Sequence, residues 1–240
     1  MYRWLISWLC LLTALILTPY SGWAYRPFES TDADVTGPGQ IEMELGVFGW
    51  ERSGGDDTFI VPQMVINYGL TQTLEVIGEF EVIHPPVGGS RIADPGLFLK
   101  SVMRRGALQK RPGLSVAVEG GVLLPSTVTG EDRLGIEVLG IVSGTLSRFT
   151  WHLNIGAGAD RSNQALFGLW GLIVEVPVTS TFRIVTEWNG EHDGAADTSA
   201  LLGAIWEPPQ GSVALDVGLR RGISDAANDW AVNLGVTVSF

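Results

Sequence analysis

Carboxylates recur at alternate positions in several stretches of this sequence: Glu42 with Glu44, then Glu75, and Glu79 with Glu81. A period of two is the side-chain period of a β-strand, so each series shares one face while aliphatic residues take the other. The same alternation places Glu119, Glu137, Glu175, Glu187 and Asp216 on the polar face of later strands, with Lys100, Arg183 and Arg220 as the cations among them. Acid gathered around a common interior has two uses. It lines a watery passage that prefers cations or amines, or it pairs with Arg and Lys and fills the space. His152 and Asn154 lie on that same polar face. Beside a nucleophilic serine such a pair would be hydrolase chemistry. No Gly-x-Ser-x-Gly elbow is present and spacing ties no serine to His152, so an interior hydrogen-bonding role is the expectation. His84 and His192 fall in loops, and Cys10 is the only cysteine, so no metal-ligand spacing exists. The acidic loops at 54–57, 130–133, 192–197 and 224–229 lack EF-hand spacing and read as solvated turns. No nucleotide motif appears, and no cofactor is expected.

The elements that must position these residues are strands from end to end. Segments of about ten residues with period-two alternation recur between Gly, Asp, Pro and Ser clusters. They predict twelve strands, at 39–51, 58–69, 74–83, 96–103, 114–124, 134–146, 150–159, 166–176, 182–191, 200–207, 213–220 and 230–240. In the first, Phe48 and Trp50 share parity with Glu42 and Glu44, which calls for a bulge or an inward turn of both rings. A soluble sandwich would bury the apolar faces. Three features favour the inverse arrangement. The polar faces are rich in Gly and Ser, as a narrow interior requires. Large aromatics gather near strand ends, with Tyr68, Trp151, Phe182, Trp206 and Phe240 at one rim and Trp188 and Trp230 at the other, as two membrane interfaces select. Tight turns at 70–73, 147–149 and 177–181 alternate with longer Gly/Asp-rich loops; the basic turn at 104–112 is the exception. The fold expected is therefore all-β: a transmembrane antiparallel up-and-down β-barrel of twelve strands in the bacterial outer membrane.

The ends of the chain agree. Arg3, an apolar run over 4–17 and small residues through Ala24 read as a secretory signal cut after residue 24. The mature chain then divides into a periplasmic segment at 25–38 and a barrel at 39–240. The last ten residues, AVNLGVTVSF, carry no charge. That suits a closing strand with one face in lipid, and its terminal aromatic resembles the signal by which the barrel-assembly machinery recognises outer-membrane barrels. A net charge of −11 disfavours a nucleic-acid partner.

The order of several short pieces resembles one family. The stretch YRPFESTDADVTGPGQIEMELG, with its Arg-Pro-Phe at 26–28, acidic element at 31–33 and Pro-Gly entry at 38–45, is similar to the opening of outer-membrane proteins of the MetA-pathway of phenol degradation type. INYGLTQTLEVIGEF at 66–80, Leu-Pro-Ser at 124–126, HLNIGAG at 152–158, VTEWNGE at 185–191, LLGAIW at 201–206 and LDVGLRRGIS at 215–224 extend the likeness over nearly the whole mature chain. The resemblance implies an outer-membrane barrel that passes small hydrophobic compounds. The shorter chain and short extracellular loops depart from that pattern and argue against a large loop-built binding site. Three functions remain at this point: a channel or carrier for small hydrophobic or aromatic solutes, a closed structural barrel that anchors an envelope partner, and a lipid hydrolase. The channel or carrier is the leading expectation, with no enzymatic activity and with membrane lipid as its constant partner.

Overall fold

The computed structural model describes residues 26–209 and 211–240, so the expected signal sequence lies outside the described residues. Twelve strands follow one another: β1 (Ile41–Ser53), β2 (Asp56–Thr71), β3 (Leu74–His84), β4 (Arg91–Arg104), β5 (Ser115–Leu123), β6 (Gly135–Leu146), β7 (Phe149–Ala159), β8 (Leu166–Pro177), β9 (Phe182–His192), β10 (Ala196–Trp206), β11 (Val213–Gly222) and β12 (Trp230–Ser239). Each pairs antiparallel with its sequence neighbours, and β1 pairs with β12 to close the barrel. Phe240 seals the seam, donating its N–H to Ile41 O at 2.8 Å and accepting from Ile41 N at 3.3 Å. Ten residues at about 3.3 Å each, tilted by about 40°, span roughly 25 Å, the height of an apolar membrane band.

Alternation sorts the side chains as the sequence implies. Leu153 and Ile155 on β7 and Leu215, Val217 and Leu219 on β11 are exposed on the outer wall, while His152, Asn154 and Asp216 between them are buried inside. Closure removes every sheet edge and satisfies the backbone within the sheet, the condition for strands in lipid. With its apolar exterior this defines a membrane-spanning barrel of the outer-membrane type. The start of β1 and the end of β12 lie at one end with the turns β2–β3, β4–β5, β6–β7, β8–β9 and β10–β11; that turn end faces the periplasm in such barrels.

Local irregularities have local causes. The register slips between Gly46 and Phe48, which is the bulge that the parity of Phe48 and Trp50 demands. The β2–β3 register skips between Ile60 and Gln63, around Pro62, a residue with no N–H to give to the ladder. The Gly/Asp run near 53–57, read as a loop, is mostly strand. Gly54 and Gly55 alone make the turn, at φ 58° and 97°, where a side chain would be strained.

The main departure from expectation is residues 26–36. Read as a periplasmic lead-in, they lie inside the barrel instead. Phe28 packs on the buried cluster Val185, Leu201, Ile205 and Ala214, and Ala33 belongs to a second cluster with Ala117, Leu139 and Ile141. The chain enters at the turn end, where Thr36 and Gly37 pass so close to Gly69 that a Cβ there would lie 2.3 and 2.1 Å from their carbonyl oxygens.

Candidate functional site

The N-terminal segment has few backbone partners of its own, so inward side chains must supply them. Glu187 on β9 accepts the N–H of Glu29 at 3.1 Å and of Ser30 at 2.8 Å. Asn154 on β7 meets Thr31 with both ends of its amide, accepting from its N–H at 3.1 Å and donating to its carbonyl at 2.8 Å. Ser143 Oγ accepts from Ala33 N at 3.0 Å, and Glu75 from Thr36 N at 2.7 Å. Lys100 Nζ donates to Thr31 Oγ1 at 2.9 Å while facing Glu75 at 3.2 Å and Glu119 at 3.5 Å. Arg26 gives its backbone N–H to Glu44 at 3.1 Å and sets its guanidinium against Gln63 and, at 3.6 Å, Asp216. Arg220 holds Glu187 at 2.9 Å and Glu29 at 3.3 Å. Inward glycines make room: a Cβ on Gly171 would fall 1.8 Å from Ser30 Oγ.

The fifteen interior positions read from the sequence do different things. Glu44, Glu75, Lys100, Asn154, Glu187, Asp216 and Arg220 seat the segment. Glu42 takes a hydrogen bond from Ser239 at 3.0 Å. His152, Glu175 and Arg183 form a chain below it: His152 Nε2 is 2.9 Å from Glu175, whose other oxygen is 2.6 Å from Arg183 Nε. Glu79, Glu81, Glu119 and Glu137 line a cavity above the segment. Of the aromatics, Tyr68, Phe182, Trp188, Trp206, Trp230 and Phe240 are exposed on the outer wall or rims, and Trp151 sits two residues into β7 at the turn end.

That cavity is a vestibule of about 610 Å³, opening at the loop end and floored by Glu29 and Ser30. Eleven carboxylates line it: Glu29, Glu51, Glu79, Glu81, Asp94, Glu119, Glu131, Glu137, Asp160, Glu191 and Asp197. Against them stand two cations, Arg161 and Arg220. Arg161 bridges Asp94 at 2.9 Å and Glu131 at 3.6 Å, so it is committed to the wall. Phe98 and Phe167 add apolar surface. The potential in such a cleft draws in positive charge and repels anions. Glu131 and Asp197 belong to acidic stretches that read as solvated turns, and Asp94 and Asp160 fall between the predicted strands. Glu51 was obscured by the bulge, which flips parity along β1.

The serine that spacing could not tie to His152 is Ser143, its cross-strand partner on β6, with Oγ 2.9 Å from Nδ1. Ser143, His152 and Glu175 thus form a hydrogen-bonded chain. Ser143 is fully buried, its Oγ is occupied by Ala33 N–H, and neither Ser143 nor His152 lines the vestibule. Among the described residues no cluster of His, Cys, Asp and Glu has metal-binding geometry.

This is the architecture of an outer-membrane β-barrel with an occupied interior. Among solved structures, an outer-membrane channel from Pseudomonas putida F1 superposes with a TM-score of 0.64 at 12% identity, over 89% of this chain and all of that one. The NanC porin superposes with a TM-score of 0.59 at 6% identity, over 82% of this chain and 98% of that one. Both likenesses are of fold. No family description and no curated protein matches the sequence.

Proposed function

We propose that this protein is an outer-membrane channel for small, positively charged solutes, closed at rest by residues 26–36. The observation that carries the reading is the acidic vestibule ending on the N-terminal segment. A solute from outside meets eleven carboxylates and two arginines, then a floor held by side-chain hydrogen bonds rather than by the wall's own ladder. The barrel wall would hold its shape while the floor moves. Phe98 and Phe167 suit an organic cation with an aromatic or aliphatic body, which accommodates the hydrophobic solutes implied by resemblance to the phenol-degradation type. That family assignment is itself part of the proposal, supported by the barrel fold shared with a solved outer-membrane channel. The sealed surroundings of Ser143 and His152 support a structural role for them and no hydrolysis.

Planar-bilayer recording tests the reading. Wild-type protein should show rare, small steps, and an Asn154→Ala/Glu187→Gln variant should open far more often. Silence from both, with folded protein in the bilayer, would overturn it in favour of a closed structural barrel. The packed apolar clusters beneath the segment are what favours that second reading.

A further inference from the structure

We propose that the turn end of the barrel carries a binding surface for anionic phospholipid of the inner leaflet, built on the β4–β5 and β6–β7 turns. The chain's formal charge is −11, yet Arg104, Arg105, Lys110, Arg111 and Arg148 gather in one sector of one rim. The three adjacent turns there, 72–73, 105–114 and 147–148, contain no Asp or Glu. None of the five cations enters an ion pair with any described residue. On the inner side, Asp34 is held by the amide of Gln109 at 3.0 Å and by Val35 N at 3.0 Å. This differs from the cations inside the barrel, which are matched to acids. Five unmatched cations side by side repel one another, and a chain with so few charges has no need of them for solubility.

The setting decides which anion fits. Directly above the cations, on the outer wall, Met103, Leu114, Leu146 and Phe149 are exposed. Acyl chains lying against these residues would place a headgroup phosphate level with the guanidinium groups. Arg148 already folds back toward that wall, with its guanidinium 5.5 Å from the Phe149 ring centre. Arg105 donates to Gln72 O at 3.2 Å and Gln72 Oε1 at 3.0 Å, which joins two of the turns into one rim. A phosphodiester with two acyl tails satisfies both halves of the surface, and a soluble anion would satisfy one. Basic clusters beside membrane-spanning elements attract anionic headgroups through the same field.

Native mass spectrometry of the folded protein, in detergent with equimolar phosphatidylglycerol and phosphatidylcholine, tests this. The wild type should retain phosphatidylglycerol about tenfold over phosphatidylcholine. Replacing all five cations by Gln should bring the ratio to about one. A Lys110→Gln/Arg111→Gln variant, which removes no side-chain hydrogen bond in the structure, should fall between and guards against misfolding of the fivefold variant. Folding is checked by the gel shift between heated and unheated samples. Inorganic phosphate added in excess should leave the ratio unchanged. A wild-type ratio near one, an unchanged ratio in either folded variant, or displacement by phosphate would overturn the proposal.

Discussion

Asn154 shows how a single side chain can hold a segment of backbone. Its amide offers an acceptor oxygen and a donor nitrogen, which is what a residue outside the strand ladder lacks, and Thr31 uses both. Asn154→Ala leaves two polar groups of Thr31 unpaired inside the barrel, at a cost of about 1–3 kcal/mol to the seated state. That corresponds to roughly a 5- to 150-fold rise in the unseated fraction, read as open probability in single-channel records. Gly69 tests the entry point by the opposite route. Its neighbours are the backbone oxygens of Thr36 and Gly37, which cannot swing aside as a side chain can. Gly69→Ala should therefore shift the segment's entry, raising protease cleavage within 26–36 while the barrel still resists heat unfolding. If Gly69→Ala leaves cleavage at the wild-type level, the close approach at Gly69 does not fix the segment.

At the scale of elements, the strands were legible because lipid outside and a crowded interior impose period two on nearly every residue. Glu75 and Leu74, or Asp216 and Leu215, take opposite faces with no tertiary information needed. The lead-in at 26–36 was not legible because it has no period. Its structure comes from side chains over a hundred positions away, such as Asn154 and Glu187, and neither short polar residues nor Arg26 announce such partners. The interior glycines were read as signs of a narrow space, which is correct, but the occupant of that space was not visible. The strands predicted at 96–103 and 200–207 begin earlier, at Arg91 and Ala196, so Asp94 and Asp197 belong to the wall rather than to the loops that composition suggests. The β7–β8 loop offers a test at this scale. Desolvation acts on Asp160 in the raising direction, but N–H donors of Asn163, Ser162 and Gln164 outweigh it and hold the carboxyl below the usual carboxylate range. A depressed pKa means that the loop gains order above the ordinary carboxylate pKa and loses it as pH falls through the lowered value. Asp160→Ala should speed amide exchange at 162–164 at pH 7, and the difference from wild type should vanish in strong acid. The seam offers another. Removing Phe240 takes away both backbone bonds to Ile41 and should slow assembly in cells, measured as the fraction of heat-modifiable protein.

At the scale of the whole molecule, charge is distributed along the barrel axis. The loop end and vestibule are acidic, the middle is a matched network around the N-terminal segment, and the turn end is basic. Such a gradient favours cations entering from the loop side, and its strength is set by the vestibule carboxylates, of which Glu29, Asp94, Glu119 and Glu131 face a cation and Glu51, Glu79, Glu81 and Glu137 form no ion pair with any described residue. With the floor released by Asn154→Ala/Glu187→Gln, a tenfold potassium chloride gradient should give a reversal potential of cationic sign. Glu79→Gln/Glu81→Gln/Glu137→Gln on that background should move the potential toward zero by removing three of the eleven acids without touching a residue that seats the segment. The salt dependence supplies an internal control. At about 1 M salt the screening length falls to about 3 Å, shorter than the distance from wall to axis, so selectivity should weaken in high salt in the parent background and barely change in the triple variant. An anionic reversal potential, or one indifferent to both the triple substitution and salt, would show that the conducting path bypasses the vestibule and runs elsewhere through the barrel.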